Sequence, residues 1–202
     1  MTDRLPPTPE GIARAAELLA GGAVVAFPTD TVYGVGVAAS RPDRLEALFA
    51  LKRRPADRRI PMLVSGLEDA LGLGAAVDDR ARALAAHFWP GALTIVLPLG
   101  DETQAFRVPD HLVAIALIQA AGPVLATSAN ISDEPDTLGA DEVLIAFATQ
   151  QDELAAVVDG GPVPGGRAST VLDLSADLPR ILREGPIGRA AGASGAAAGR
   201  MS

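Results

Sequence analysis

Capped helical segments alternate with short aliphatic runs along most of this chain, and no other feature limits its fold as much. Thr8 and Pro9 are typical of the start of a helix, Gly21-Gly22 ends it, and the aliphatic run 23–27 follows as a buried strand. Strand-like runs crowd together near the carboxyl end. The pattern therefore predicts an α/β fold in which helices flank one twisted, mixed β-sheet, without a regular doubly wound order.

Several segments give expectations about order and domain limits. Residues 1–7 carry no periodic pattern and are expected to be disordered, and segment 28–40 is expected to be a loop. From residue 188 to residue 199, ten of twelve residues are Ala or Gly. We therefore predict one domain over residues 8–187 and a disordered Ala/Gly-rich tail over 188–202.

Two pairs of residues have the spacing of a capping box. Ser40 is followed three residues later by Asp43, and Ser65 is followed three residues later by Glu68. In such a box the serine side chain binds a backbone N–H of the first helical turn, and the acid binds back to the serine. Each serine is therefore expected to begin a helix.

Composition excludes several classes of site. The chain has no Cys and only two His, so disulfides and a Cys nucleophile are excluded, and we expect no metal-ligating residues. No apolar run approaches the roughly 20 residues of a membrane span, and the first residues have no secretory pattern. We therefore predict a cytoplasmic protein with no membrane partner. The net charge of −8 argues against a broad nucleic-acid face, so tRNA is not expected to bind tightly.

One short segment runs against this acidic balance. Five cations and one acid lie within the eight residues from Lys52 to Arg59. Such a cluster could bind a small polyanion such as a nucleotide triphosphate, or it could be a solvated basic turn between a helix and a strand. The run alone leaves both open. As exposed cations, Lys52 and Arg54 are expected to be replaceable by Ala with little loss of stability.

Two loops carry hydrogen-bonding side chains directly after buried strands. Thr31 belongs to the segment PTDT after the first strand, and Ser128 and Asn130 follow the strand VLA. Open α/β sheets bind ligands at the ends of their strands, and hydroxyl and amide groups suit a phosphate or a ribose. A polar turn that satisfies its own backbone explains each loop as well.

Three further residues are candidates on weaker grounds. Arg107 lies in a short strand before Pro109 and could hold a carboxylate by two hydrogen bonds, or it could form a structural ion pair. Ser169 opens a late strand and Arg183 ends the next. Alone, these last two are ordinary strand residues.

Together the segments form a specific series. In order they are FPTDTVYG, KRRP, FWPGALT, RVPDH, TSANIS, DGG, STVLDL and ILREGPI. This series resembles the YrdC-like family, the L-threonylcarbamoyladenylate synthases, and the likeness extends over about residues 8–187. The resemblance implies a single α/β domain with a concave positive cleft. It also implies synthesis of threonylcarbamoyl-AMP from L-threonine, bicarbonate and ATP with Mg²⁺, with release of pyrophosphate.

The resemblance also implies a downstream partner and roles for particular residues. A separate complex would move the threonylcarbamoyl group to an adenosine next to the anticodon of tRNA. In the part of the cleft that would bind threonine, Thr31 would contact the amino acid, Arg107 would hold its carboxylate or its carbamate, and Ser169 would lie nearby. The residues implied for ATP are Lys52, Arg54, Arg58, Ser128, Asn130 and Arg183. No residue is implied as a covalent catalyst, and Asp30 is hypothesised to orient the amine or a magnesium-bound water.

Two positions depart from the family pattern, and two other functions remain open. Ser65 stands where many members have a His that faces threonine, and Asp136 stands where a small hydroxyl residue is frequent.

A related carbamoyl-adenylating enzyme is one alternative function. A non-catalytic RNA-binding module is the other, although the net charge speaks against it.

Overall fold

The computed structural model describes residues 1–53, 59–150, 152–165 and 167–188. The strands are β1 Asp3–Leu5, β2 Val24–Phe27, β3 Gly34–Ala38, β4 Met62–Leu63, β5 Leu93–Leu99, β6 Glu102–Arg107, β7 Val124–Ser128, β8 Leu154–Val158, β9 Thr170–Asp173 and β10 Arg180–Arg183. The helices are α1 Pro9–Ala20, α2 Leu45–Lys52, α3 Leu67–Gly72, α4 Asp79–Phe88, α5 Leu112–Ala121 and α6 Ala140–Ala146, and a 3₁₀ turn covers Pro42–Arg44.

All ten of these strands belong to one sheet. Its order is β1-β8-β2-β3-β7-β4-β6-β5-β9-β10. The pairs β1–β8, β2–β8, β4–β6 and β5–β9 are parallel, whereas β2–β3, β3–β7, β4–β7, β5–β6 and β9–β10 are antiparallel. The predicted α/β fold with a mixed sheet is therefore confirmed.

Strand β2 shows how the sheet separates two layers of helices. Val25 and Phe27 belong to an apolar cluster with residues of α1 and α5. Val24 and Ala26 belong to a second cluster that includes residues of α2, α3, α4 and α6. Successive side chains of a strand point to opposite faces, so both faces of this central strand are covered and every residue in it is apolar.

The predicted helix starts were right in one case and wrong in two. Thr8 caps α1, because its Oγ1 accepts a hydrogen bond from the Gly11 N–H at 3.3 Å. Ser40 does not begin α2, which follows the 3₁₀ turn and has no side-chain cap. Ser65 does not cap α3 either, because its hydroxyl donates to Asp69 Oδ2 at 2.8 Å. At Ser65 the capping-box spacing was present, but the serine N–H and hydroxyl both bond to the Asp69 carboxylate instead.

Two segments expected to be irregular are strands. Residues 3–5 form β1, which pairs in parallel with β8, so the expected disorder of residues 1–7 was wrong. Segment 28–40 contains β3, a fully buried strand between β2 and β7. The predicted tail over 188–202 lies outside the described residues except for Gly188, and both the tail and the domain limits 8–187 stay predictions. Among the described residues, no helix has the length and apolar character needed to cross a membrane.

Gly36 gives a test of the β3 assignment. A Cβ built at Gly36 would lie 2.4 Å from the backbone oxygen of Leu125 on β7, so an added methyl group must push the two strands apart. We expect Gly36→Ala to lower the free energy of unfolding by about 1 to 3 kcal/mol. Gly72→Ala is the control, because nothing lies within 4 Å of its added Cβ in α3. Equal stability of the two variants in urea unfolding would contradict this register.

Candidate functional site

A cavity of about 500 Å³ lies in the sheet where β5, β6, β7, β9 and β10 meet the loop after β2. Five residues predicted from the sequence line it together: Thr31, Ser128, Arg107, Ser169 and Arg183. The other lining residues include Thr29, Arg59, Leu63, Thr94, Val96, Gln104, Ala126, Val171, Asp173 and Leu182. Among these described lining residues, three are Arg and one is Asp, so the cavity has the positive character expected of it.

Arg107 is held in place by three segments of the chain. Its Nε donates to the Gly91 carbonyl at 2.9 Å, Nη1 donates to Thr31 Oγ1 at 3.0 Å, and Nη2 donates to Asp30 Oδ1 at 2.6 Å. The residue is only 7% exposed. A guanidinium has five N–H groups, so these bonds leave one N–H on each terminal nitrogen for another acceptor. An arrangement of this kind can bind a carboxylate.

The electrostatic surroundings of Arg107 and Arg183 favour an anionic ligand. Burial lowers the pKa of Arg107, and the neighbouring Asp30 carboxylate partly offsets that effect. Burial also lowers the pKa of Arg183, and the like charge of Arg107 lowers it further. Among the described residues, no carboxylate lies within ion-pair distance of Arg183. An anion placed between the two guanidiniums would relieve their repulsion.

Ser169 lies at the centre of a short chain of polar groups. Its Oγ accepts a hydrogen bond from Arg183 Nη2 at 3.1 Å and lies 2.8 Å from Thr94 Oγ1. Arg183 Nε also donates to the Ser169 carbonyl at 3.0 Å. Thr94 and Ser169 are both buried, so the direction of the serine hydroxyl is set by protein groups rather than by solvent.

Lys52 lies behind the cavity wall rather than on an exposed loop. Its Nζ donates to the Ser128 carbonyl at 2.5 Å, to the Asn130 carbonyl at 2.8 Å and to Asn130 Oδ1 at 3.1 Å. Lys52 is 3% exposed, so the expectation of an exposed cation was wrong for this residue. Helix α2 ends at Lys52, and this places the ammonium under the loop that follows β7.

The Ser128–Asn130 loop is braced by further hydrogen bonds. Ser128 Oγ donates to Asn130 Oδ1 at 2.7 Å, and Asn130 Nδ2 donates to the Glu134 carbonyl at 2.6 Å. The Ala129 N–H donates to the Tyr33 carbonyl at 2.7 Å, which joins this loop to the loop that contains Thr31. Burial raises the pKa of Tyr33 to about 12, so its hydroxyl stays protonated and donates to the Gly161 carbonyl at 2.8 Å. The two predicted polar loops therefore form one braced unit.

The structure brings most, but not all, of the predicted site residues together. Asn130 is 7% exposed and turned toward Lys52, and it is not among the residues that line the cavity. Arg54 and Arg58 lie outside the described residues. Arg59 is described and lines the cavity.

The two positions that depart from the family pattern have different surroundings. Ser65 binds Asp69 through both its hydroxyl and its N–H and is not among the residues that line the cavity. Asp136 lies close enough to Arg183 that its charge partly offsets the lowering of the Arg183 pKa. The negative charge of Asp136 therefore acts on Arg183, which is predicted to bind the nucleotide.

Side chains able to ligate a metal ion are not gathered in one cluster among the described residues. Among them, no three His, Asp or Glu side chains come together as ligands. Asp173 is the one carboxylate among the described lining residues, and its Oδ1 already accepts hydrogen bonds from Ser175. Asp30 Oδ1 is occupied by Arg107 and by the Asp110 N–H. The hypothesis that Asp30 orients a magnesium-bound water gains no support from this arrangement.

Sequence reasoning missed two contributions to this site. Thr94 was present in the segment FWPGALT but was given no role, although it is 1% exposed and contacts Ser169. The Asp30–Arg107 pair spans 77 positions in sequence, so no local pattern could indicate it. For Thr94 the sequence did contain a signal, because it is the polar residue within the apolar run LTIVL.

Comparison with known proteins places this architecture in a family. The Sua5_yciO_yrdC family model, described as "Telomere recombination", matches residues 17–185. A protein of Bacillus subtilis named threonylcarbamoyl-AMP synthase is 40% identical over 199 residues, covering 93% of this chain and 57% of the relative. A Mycobacterium leprae protein named putative threonylcarbamoyl-AMP synthase is 40% identical over 188 residues, covering 88% of this chain and 84% of the relative.

A solved structure supports the same placement. The crystal structure of Sua5 of Pyrococcus abyssi complexed with L-threonine superposes with a TM-score of 0.85 at 34% identity, covering 92% of this chain and 57% of that one. The chain thus spans little more than half the length of the Bacillus and Pyrococcus proteins. Because the family model matches most of the chain and the fold agrees, the chain belongs to the Sua5/YciO/YrdC family.

Proposed function

We propose that this chain is a nucleotidyltransferase that makes L-threonylcarbamoyl-AMP from L-threonine, bicarbonate and ATP, with release of pyrophosphate. The observation that supports this most is the pair of guanidiniums, Arg107 and Arg183, on one cavity with Thr31, Ser128 and Ser169. The names of the B. subtilis and M. leprae relatives point to the same activity. The product would serve a downstream complex that modifies tRNA, and we place the protein in the cytoplasm.

In this proposal the amino acid binds at the Arg107 end of the cavity. The threonine carboxylate accepts hydrogen bonds from the two remaining N–H groups of Arg107, beside Thr31. Ser169 lies within reach of the same cavity and is oriented by Arg183 and Thr94. The P. abyssi protein was crystallised as a complex with L-threonine, which supports the choice of amino acid.

ATP binds at the other side of the cavity in this proposal. Ser128 contacts the nucleotide, Arg183 neutralises phosphate charge, and Asn130 and Lys52 hold Ser128 in place at the end of β7. Arg54 and Arg58 stay predicted phosphate ligands. Mg²⁺ arrives bound to the triphosphate as part of the substrate, since ATP sites commonly hold it through phosphates and few protein groups.

The chemistry needs positioning and charge neutralisation rather than a covalent catalyst. The threonine amine attacks bicarbonate to give a carbamate and water, and a carbamate oxygen then attacks the α-phosphorus while pyrophosphate leaves. The protein aligns the two reactants and offsets the negative charge on the phosphates with fixed cations. No residue is assigned as a proton donor or acceptor.

Pyrophosphate release tests the proposal directly. We expect release only when ATP, bicarbonate and L-threonine are all present, and much slower release with L-serine or glycine. Release that does not depend on an amino acid would point instead to a related carbamoyl-adenylating enzyme.

The RNA-binding alternative is tested by filter binding of tRNA at ordinary salt. Tight binding of tRNA without any turnover of ATP would favour this alternative.

A further inference from the structure

Asp30 lies behind Arg107 and touches it from outside the cavity. Its Oδ1 accepts from Arg107 Nη2 at 2.6 Å and from the Asp110 N–H at 3.0 Å. Arg107 lines the cavity, whereas Asp30 is not among the lining residues. Asp30 therefore connects the loop after β2 with the segment between β6 and α5, and it acts on the cavity through the guanidinium.

The three acceptors of Arg107 differ in what they supply. The Gly91 carbonyl and Thr31 Oγ1 are neutral, and Asp30 is the carboxylate among them. The Asp30 and Arg107 side chains are 16% and 8% exposed, so water screens this ion pair only weakly. A buried guanidinium that loses its counter-ion must find another partner or move toward water.

We propose that Asp30 is a positioning residue that fixes the Arg107 guanidinium in the orientation that presents its two remaining N–H groups to an amino-acid carboxylate. This inference rests on the proposed function for the identity of the ligand. It replaces the hypothesis that Asp30 contacts the amine or a metal-bound water.

The direction in which Asp30→Asn changes the KM for L-threonine distinguishes an orienting role of Asp30 from a purely electrostatic one. Asp30 is negative, so replacing it with Asn makes the cavity more positive and, by charge alone, would strengthen the binding of a carboxylate. If Asp30 serves to orient Arg107, the same replacement weakens that binding. We expect Asp30→Asn to raise the KM for L-threonine by about tenfold or more, with the KM for ATP changing much less.

Nuclear magnetic resonance of the arginine side chains reads out the positioning without any substrate. In the wild-type protein we expect slow rotation of the Arg107 guanidinium and separate signals for its terminal N–H groups, assigned with Arg107→Lys. Asp30→Asn is expected to average these signals, and Asp30→Glu to restore them in part. Asp43→Asn is the matched control, because it breaks an exposed Asp–Arg pair with Arg41 away from the cavity.

The KM for L-threonine and the arginine spectra together show whether the positioning role or the proposed function has failed. Unchanged Arg107 signals in a folded Asp30→Asn protein would overturn the positioning role, and so would a lower KM for L-threonine. If the wild-type protein shows no turnover that depends on threonine, the proposed function fails, and the spectra still decide whether Asp30 fixes Arg107.

Discussion

Lys52→Met is expected to lower the free energy of unfolding by about 2 to 4 kcal/mol. The substitution keeps the length of the side chain but removes the donor, so the Ser128 and Asn130 carbonyls lose their hydrogen bonds to Nζ. A buried acceptor left without a donor costs about 1 to 3 kcal/mol, and part of this loss is offset because a buried charge is also removed. Chemical denaturation in urea measures the difference.

The same variant is expected to weaken ATP binding through the loop it supports. Ser128 ends β7, and Lys52 bonds both to its carbonyl and to the Asn130 oxygen that accepts from Ser128 Oγ, so the position of the Ser128 hydroxyl should become variable. Arg14→Ala is the control cation, because Arg14 forms an exposed pair with Glu17 that contributes little. A Lys52→Met protein as stable as the Arg14→Ala protein would show that the ammonium is not a structural support.

Arg107→Ala is expected to reduce kcat/KM for L-threonine on the order of a hundredfold or more. Truncating one partner of a buried, hydrogen-bonded charge pair costs about 2 to 5 kcal/mol, and Arg107 is both a proposed ligand of the carboxylate and the partner of Asp30. The KM for ATP should rise far less. Steady-state kinetics with each substrate varied in turn gives both values.

Arg107→Lys separates charge from geometry at the same position. A lysine keeps the positive charge but cannot contact Gly91, Thr31 and Asp30 at once in the planar arrangement of a guanidinium. We expect it to recover only a small part of the lost activity. If the KM for ATP rises more than that for threonine in both variants, the proposed division of the cavity is wrong.

The sequence was sufficient for the fold class because its strongest signals are local. The Thr8 cap and the aliphatic strands β2, β5 and β7 each depend on residues close in sequence, and the structure confirms them. Strand β3 was missed because its sequence GVGVA contains two glycines, which are rare inside strands. Strand β1 is three residues long and is ordered by its pairing with β8, some 150 positions away.

The site was predictable in residue type but not in arrangement. Arg107 and Thr31 could be selected as side chains able to bind an anionic ligand, Ser169 and Arg183 were selected only through the family resemblance, and all four line one cavity. Which of them contact one another depends on strand order, as in the contact between Thr94 on β5 and Ser169 beside β9. Lys52 was misjudged because a basic run suggests solvent exposure, whereas burial depends on where helix α2 ends.

The short first strand has a practical consequence for anyone who shortens or extends this polypeptide at its amino end. Arg4 on that strand bonds to both Asp141 and Asp159, and the strand itself shields one side of β8. Removing the first seven amino acids would therefore expose the edge of the apolar strand β8. An exposed strand edge can pair with a strand of another molecule, so we expect the shortened protein to associate. An affinity handle is better joined ahead of Met1 with these contacts left intact.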